Sequence, residues 1–209
     1  ILLIALLGAG LLVKLVGSII WALAVPLIVL WLIFVAFTLY FFRDPTARVP
    51  TNPNAIVSPA HGTVDLVDEA EIPEFGGEKC KRISIFLNVF NVHVQQAPVS
   101  GKVTYLKHTS GLFLNALKTE SAQHNENVMI TFEPKDRPGE KVGIRLIAGL
   151  IARRIIPWVT VGDQVEMGER ISLIQFGSRV DVYLPLSYKI QCQIGDKVVG
   201  GETIIALKE

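Results

Sequence analysis

Cysteine is scarce: the 209 residues hold only Cys80 and Cys192, far apart and without ligand-like spacing. That excludes a disulfide framework and a cysteine zinc site, and it predicts two buried free thiols in a reducing compartment. An excess of charge of either sign is also missing, the formal net charge being +1. No global basic surface therefore points to nucleic acid, and none is expected as a partner. No heptad stretch is present, which excludes a long coiled coil. Charge is missing most of all from residues 1–42, where Lys14 stands alone.

That local absence accounts for a chain that is 50% hydrophobic. Ile19–Phe42 is an unbroken uncharged run, long enough as a helix to cross a hydrocarbon core of about 30 Å with tilt. Tyr40 lies near its end, at a plausible interface depth. The shorter run Ile1–Val16 precedes it; a single span is one reading, and a helical hairpin turning at Gly17-Ser18 fits the two runs best. No small-residue cleavage site follows, which argues against a signal peptide. Arg43 and Arg48 flank the second run, so the positive-inside rule places the following domain on the cytoplasmic side of the cell membrane. Residues 1–42 are thus read as a membrane anchor and 43–209 as one domain.

Past Pro53 the pattern changes to short alternating segments, such as Ile83–Leu87, Val128–Phe132 and Val180–Leu184, separated by turns. This predicts a mostly β domain. Two internal repeats refine it. PAHGTV at 59–64 matches PVSGKV at 98–103, and VGDQVEMGERISLI at 161–174 matches IGDKVVGGETIIAL at 194–207. Each copy of the second is a turn leading into a strand, with Asp after Gly favouring the turn. Duplicated elements of this kind resemble the hammerhead strands of lipoyl- and biotinyl-type barrel-sandwich domains, so a pseudo-duplicated barrel-sandwich with few helices is expected. Neither P-x-x-G turn presents a lysine, which argues against a carrier domain. One helix is predicted at Arg145–Ile156, closed by Pro157.

Gly177-Ser178 stands just before the alternating strand. In a strained turn, Ser178 Oγ could attack the carbonyl carbon of Gly177, which has no Cβ to obstruct it; most Gly-Ser pairs are ordinary turns. The surrounding motifs decide more. IAGLIARRI (147–155), VGDQVEMGERISLIQFGSRVDVYLP (161–185), FFRDP (41–45), SPAHGTV (58–64), FLNVFNVHVQQAPVSGKV (86–103) and NENV (125–128) together resemble the short form of phosphatidylserine decarboxylase over nearly the whole chain.

The resemblance implies a proenzyme that cleaves itself between Gly177 and Ser178. A β chain, 1–177, and an α chain, 178–209, would result, the latter beginning with a pyruvoyl group derived from Ser178. Substrate amine would form a Schiff base with that group, which serves as electron sink while carbon dioxide leaves. No pyridoxal phosphate and no metal is implied. The partners expected are phosphatidylserine, membrane lipid, the chain's own two fragments and a second copy in a homodimer.

The resemblance also implies a catalytic acid/base role for His93. His61 departs from the family's usual Asp, where the residue is thought to help activate the serine; as a base or orienter it could still serve Ser178. Gln96 stands where some long-form members have a second His. Arg153 and Arg154 suit phosphate or carboxylate binding, or the end of a helix. Asn125 and Glu126 fall in a matched motif with no derived role, and His108 and His124 read as surface residues. Two other readings stay open: a non-enzymatic membrane-anchored barrel-sandwich adaptor, and an inactive homologue left uncleaved because His61 replaces Asp.

Overall fold

The computed structural model describes residues 2–114, 124–150, 154–175 and 178–208. It divides into two compact units, residues 1–42 and 43–209.

The first unit is one helix, α1 (Leu2–Phe41), and the expected hairpin is not observed. A glycine inside a helix costs about 1 kcal/mol, too little to break so long an apolar run. The Ser18 hydroxyl bonds back to the Leu15 carbonyl at 2.8 Å and so fits within the helix. Leu7–Phe41 alone is long and apolar enough to cross a membrane.

The second unit is mostly β. Its strands are β1 (Ala55–Val57), β2 (Gly62–Glu71), β3 (Lys79–Leu87), β4 (Val94–Gln96), β5 (Gly101–Thr109), β6 (Asn127–Pro134) and β7 (Val142–Ala148). They continue as β8 (Ile155–Pro157), β9 (Gln164–Val165), β10 (Arg170–Ile174), β11 (Ser178–Leu184), β12 (Tyr188–Ile190), β13 (Lys197–Val198) and β14 (Ile204–Lys208). The large sheet runs β13-β2-β3-β11-β7-β6-β5-β9, and two small sheets run β1-β14-β12 and β4-β10-β8.

The duplication read from the sequence is present in the pairing itself. Gly62 faces Val198 where β2 meets β13, and Gly101 faces Val165 where β5 meets β9. The loops repeat bond for bond. Val64 N–H donates to Asp196 O as Val103 N–H does to Asp163 O, and Val57 N–H donates to Pro98 O as Gln96 N–H does to Pro59 O. The turn glycines correspond too: Gly162 and Gly195 lie at φ 105° and 98°, Gly168 and Gly201 at 80° and 74°. A side chain is strained there, which is why both copies keep glycine. The order of the large sheet reads symmetrically about the β11–β7 pair.

Of the helix expected at Arg145–Ile156, the described residues instead form strand β7 as far as Ala148 and strand β8 from Ile155; 151–153 lie outside them. Ile144, Leu146 and Ala148 enter the core, while Arg145 on the opposite face donates from Nε to Asn127 Oδ1 at 3.1 Å. A central strand covered on both faces reads as a continuous apolar run, and periodicity alone does not separate it from a short buried helix. Cys80 is buried and Cys192 half-buried, and both are free thiols.

Candidate active site

Ser178 opens β11, the strand in the middle of the large sheet. It faces Leu87 of β3 on one side and Ala148 of β7 on the other. Alternation sends Ser178, Val180, Val182 and Leu184 into the core and Arg179, Asp181 and Tyr183 to the other face. Ser178 is fully buried, and its Oγ has no hydrogen-bond partner among the described residues. A buried hydroxyl without a partner costs stability. Gly177 and Arg153 lie outside the described residues.

The end of the sheet that carries Ser178 also carries the other candidates. β3 leaves Leu87 into the turn Asn88–Asn91, whose side chains cap it: Phe90 N–H donates to Asn88 Oδ1 at 2.8 Å and Asn88 N–H to Asn91 Oδ1 at 2.9 Å. His93 follows, buried, with Nδ1 2.9 Å from the Asn91 carbonyl. A carbonyl only accepts, so Nδ1 carries the proton and Nε2 the lone pair. Burial, then the nearby charges of Arg43 and His61, hold His93 down to about 4 in spite of the Asn91 bond. It is therefore neutral at pH 7. Its own carbonyl accepts from Ile174 N–H at 3.1 Å, tying it to the strand that leads toward Ser178.

His61 sits just before β2 at this same end. Burial first and Arg43 second lower its pKa, against Glu202 and Asp44. Its ring lies beside Gly200. A Cβ at position 200 would sit 3.1 Å from His61 Cδ2 and would collide with Gln96 Oε1. His61, His93 and Arg43 thus form one electrostatic group, although Arg43 was marked in the sequence only as a charge flanking the apolar run. Arg43 Nη2 donates to the Phe90 carbonyl at 2.7 Å.

Arg154 is exposed, and its backbone carbonyl accepts from Gln175 N–H at 3.2 Å, so it borders the segment that enters Ser178. Asn125, without a role in the sequence reading, is buried and triply bonded. It accepts from Leu114 N–H and donates to the carbonyls of Leu114 and Ala148, at 2.8, 2.9 and 2.8 Å. It therefore fixes the residue that faces Ser178 across the sheet. On the other face, fully buried Arg179 grips Asp65 of β2 through two bonds, of 2.7 and 2.5 Å. Burial pushes the Asp181 carboxyl up, against the pull of Ser84, Arg179, Arg82 and Arg145.

Among the described residues, no group of three His, Cys, Asp or Glu side chains could hold a metal.

Comparison with known proteins gives the family. The family model described as phosphatidylserine decarboxylase matches residues 34–206. The phosphatidylserine decarboxylase proenzyme of Desulfotalea psychrophila is 44% identical over 176 residues, 84% of this chain and 81% of the relative. That of Cupriavidus pinatubonensis is 43% identical over 178 residues, 85% of this chain and 80% of the relative. The chain belongs to the phosphatidylserine decarboxylase family.

Proposed function

We propose that this chain is a membrane-tethered proenzyme that cuts itself before Ser178 and then decarboxylates phosphatidylserine to phosphatidylethanolamine. The observation that carries the proposal is the buried, unpartnered Ser178 Oγ at the head of a strand paired on both sides. In self-cleavage, Oγ bonds to the Gly177 carbonyl carbon and the Gly177–Ser178 C–N bond breaks, leaving an ester. Elimination then releases the Gly177 carboxylate and leaves dehydroalanine, which tautomerises to an imine; water hydrolyses that imine, supplying the keto oxygen and releasing ammonia, so that residue 178 ends as a pyruvoyl group. Such a group would supply a covalent hold on the substrate amine and an electron sink for the pair left by carbon dioxide.

The cut chain holds together because its two pieces share sheets. β11 lies between β3 and β7, β13 pairs β2, and β14 pairs β1. The α chain, 178–209, is therefore woven into the β chain, 1–177. Residues 1–42 serve as the anchor, with the domain on the cytoplasmic side.

His93 is the proton carrier. A neutral imidazole accepts a proton from the substrate ammonium, making the amine nucleophilic, and returns it to carbon after decarboxylation. His61 replaces the usual acid as orienter of this group, held neutral by burial and Arg43. Arg154, with Arg153, supplies cations for the substrate phosphate or carboxylate.

The test is mass spectrometry of the purified protein. Two chains are expected, the smaller starting with a pyruvoyl group. Ser178→Ala is expected to stay as one chain, and His93→Ala to be cut yet decarboxylate poorly. An uncut Ser178→Ala protein with full activity would overturn the proposal, and unchanged turnover in His93→Ala would remove His93 from the site.

A further inference from the structure

Four large apolar side chains stand exposed around the end of the sheet that carries Ser178. Phe90 and Leu150 are 62% exposed, Leu112 56% and Leu114 41%. They come from different parts of the chain and are brought together by the pairing. Phe90 follows Leu87, and Leu150 follows Ala148, the two residues that face Ser178. Leu112 and Leu114 are fastened beside Ala148 through Asn125, by the Leu112–Asn125 bridge and the Asn125 side chain. Phe90, Leu112 and Leu114 sit on backbone held by hydrogen bonds, so the fold presents these side chains to the outside at a fixed position. Exposed apolar clusters of this kind mark interaction surfaces.

The occupant follows from what lies beside them. The turn bearing Phe90 accepts, through the Phe90 carbonyl, from the Arg43 guanidinium. The exposed Arg154 lies at this end, and the carboxylate of Glu126 there is paired with His108 at 3.1 Å. Apolar side chains with cations among them match an anionic phospholipid surface.

We infer that Phe90, Leu112, Leu114 and Leu150 dock the catalytic domain directly onto the bilayer, so that a lipid headgroup passes from the leaflet to Ser178 without crossing water. This rests on the decarboxylase reading and adds a contact separate from the helical anchor. The anchor keeps the enzyme near the membrane; the apolar rim turns the site toward it.

The test uses the full chain in phosphatidylcholine vesicles containing phosphatidylserine. The triple variant Phe90→Ser, Leu112→Ser, Leu150→Ser is expected to raise the apparent KM for bilayer phosphatidylserine about tenfold. Its kcat, and its kinetics on a short-chain phosphatidylserine dispersed as monomers, should match those of the parent. An unchanged vesicle KM, or equal losses on both substrates, would overturn the inference. So would a fall in oligomeric mass in detergent, which would mean that a second copy covers the rim. A separate arm needs no activity: in Phe90→Trp, the emission added over the parent should be quenched by lipids with brominated acyl chains. No added quenching overturns the docking surface, whereas an uncut and inactive parent overturns the decarboxylase reading alone.

Discussion

Asp65 and Arg179 stand on opposite sides of the proposed cut, so their ion pair would join the β chain to the α chain one residue from the cofactor. The two ends of the pair are not equivalent. Arg179 has 1% of its side chain exposed and Asp65 30%. Asp65→Asn takes from a buried guanidinium the carboxylate that receives two of its hydrogen bonds, which costs about 3–5 kcal/mol; nearby Asp181 places the value toward the lower end. Arg179→Met removes the buried charge and keeps an unbranched chain in the same space, while Asp65 retains access to water, so about 1–2 kcal/mol is expected. The acid-side variant should therefore be the worse by about 2 kcal/mol, roughly a 30-fold difference in the folding equilibrium. The measurement is urea unfolding in the Ser178→Ala background, where one uncut chain keeps the transition independent of concentration. In the cut protein, Asp65→Asn should also release the α chain at lower urea than Arg179→Met does. If Arg179→Met costs as much as Asp65→Asn, the burial asymmetry does not govern the pair and the reasoning fails.

Three further outcomes follow from the same geometry. His93 titrates near 4 in the folded chain against 6.5 ordinarily, so protons bind the unfolded state first as pH falls. Its share of stability is intact above 6.5 and declines toward 4 by about 3 kcal/mol; the urea midpoint of His93→Gln should fall less steeply over that window than the parent's, and parallel slopes would refute the assignment. Gly200→Ala sets a Cβ on Gln96 Oε1 and against His61, so self-cleavage followed on a gel should slow at least tenfold while Gly17→Ala, helical and with open space around it, leaves the rate unchanged. Asn125→Ala strands the backbone groups of Leu114 and Ala148, a loss of about 1–3 kcal/mol in denaturant unfolding, with slower cleavage because Ala148 flanks Ser178.

Local rules read much of this molecule correctly. The P-x-x-G-x-V and G-D-x-V-x-x-G-E repeats gave the duplicated β domain because turn chemistry is local and a glycine at positive φ leaves a mark in the sequence. Val180–Leu184 was legible as a strand for the same reason. Arg145–Ile156 was misread because a strand buried on both sides loses its alternation. Gly17-Ser18 was misread because a weak helix breaker does not outweigh apolar residues on both sides. Ser178 and His93 became candidates through family motifs, and the pairing around β11 and β3 sets both at one end of the sheet, which the motifs did not tell. The joining of Arg43 to His61 and His93, of Asp65 to Arg179, and of Asn125 to Ala148 was not legible. Each depends on which strands are neighbours, and that depends on the whole chain.

The duplication has a consequence for the histidine at position 61. The repeat sets His61 against Ser100 and Gly200 against Met167. At the second corner, Ser100 Oγ accepts from Met167 N–H at 2.8 Å and donates to Glu166 at 2.9 Å, closing the turn on itself. At the first, glycine removes the side chain and an imidazole lies in the space. The protein thus contains its own control: two matching corners, one closed by Ser100 and the other left with His61 and Gln96 beside a glycine. Exchanging their residues pair by pair would show which differences let a turn hold an imidazole in place of its own closing bond.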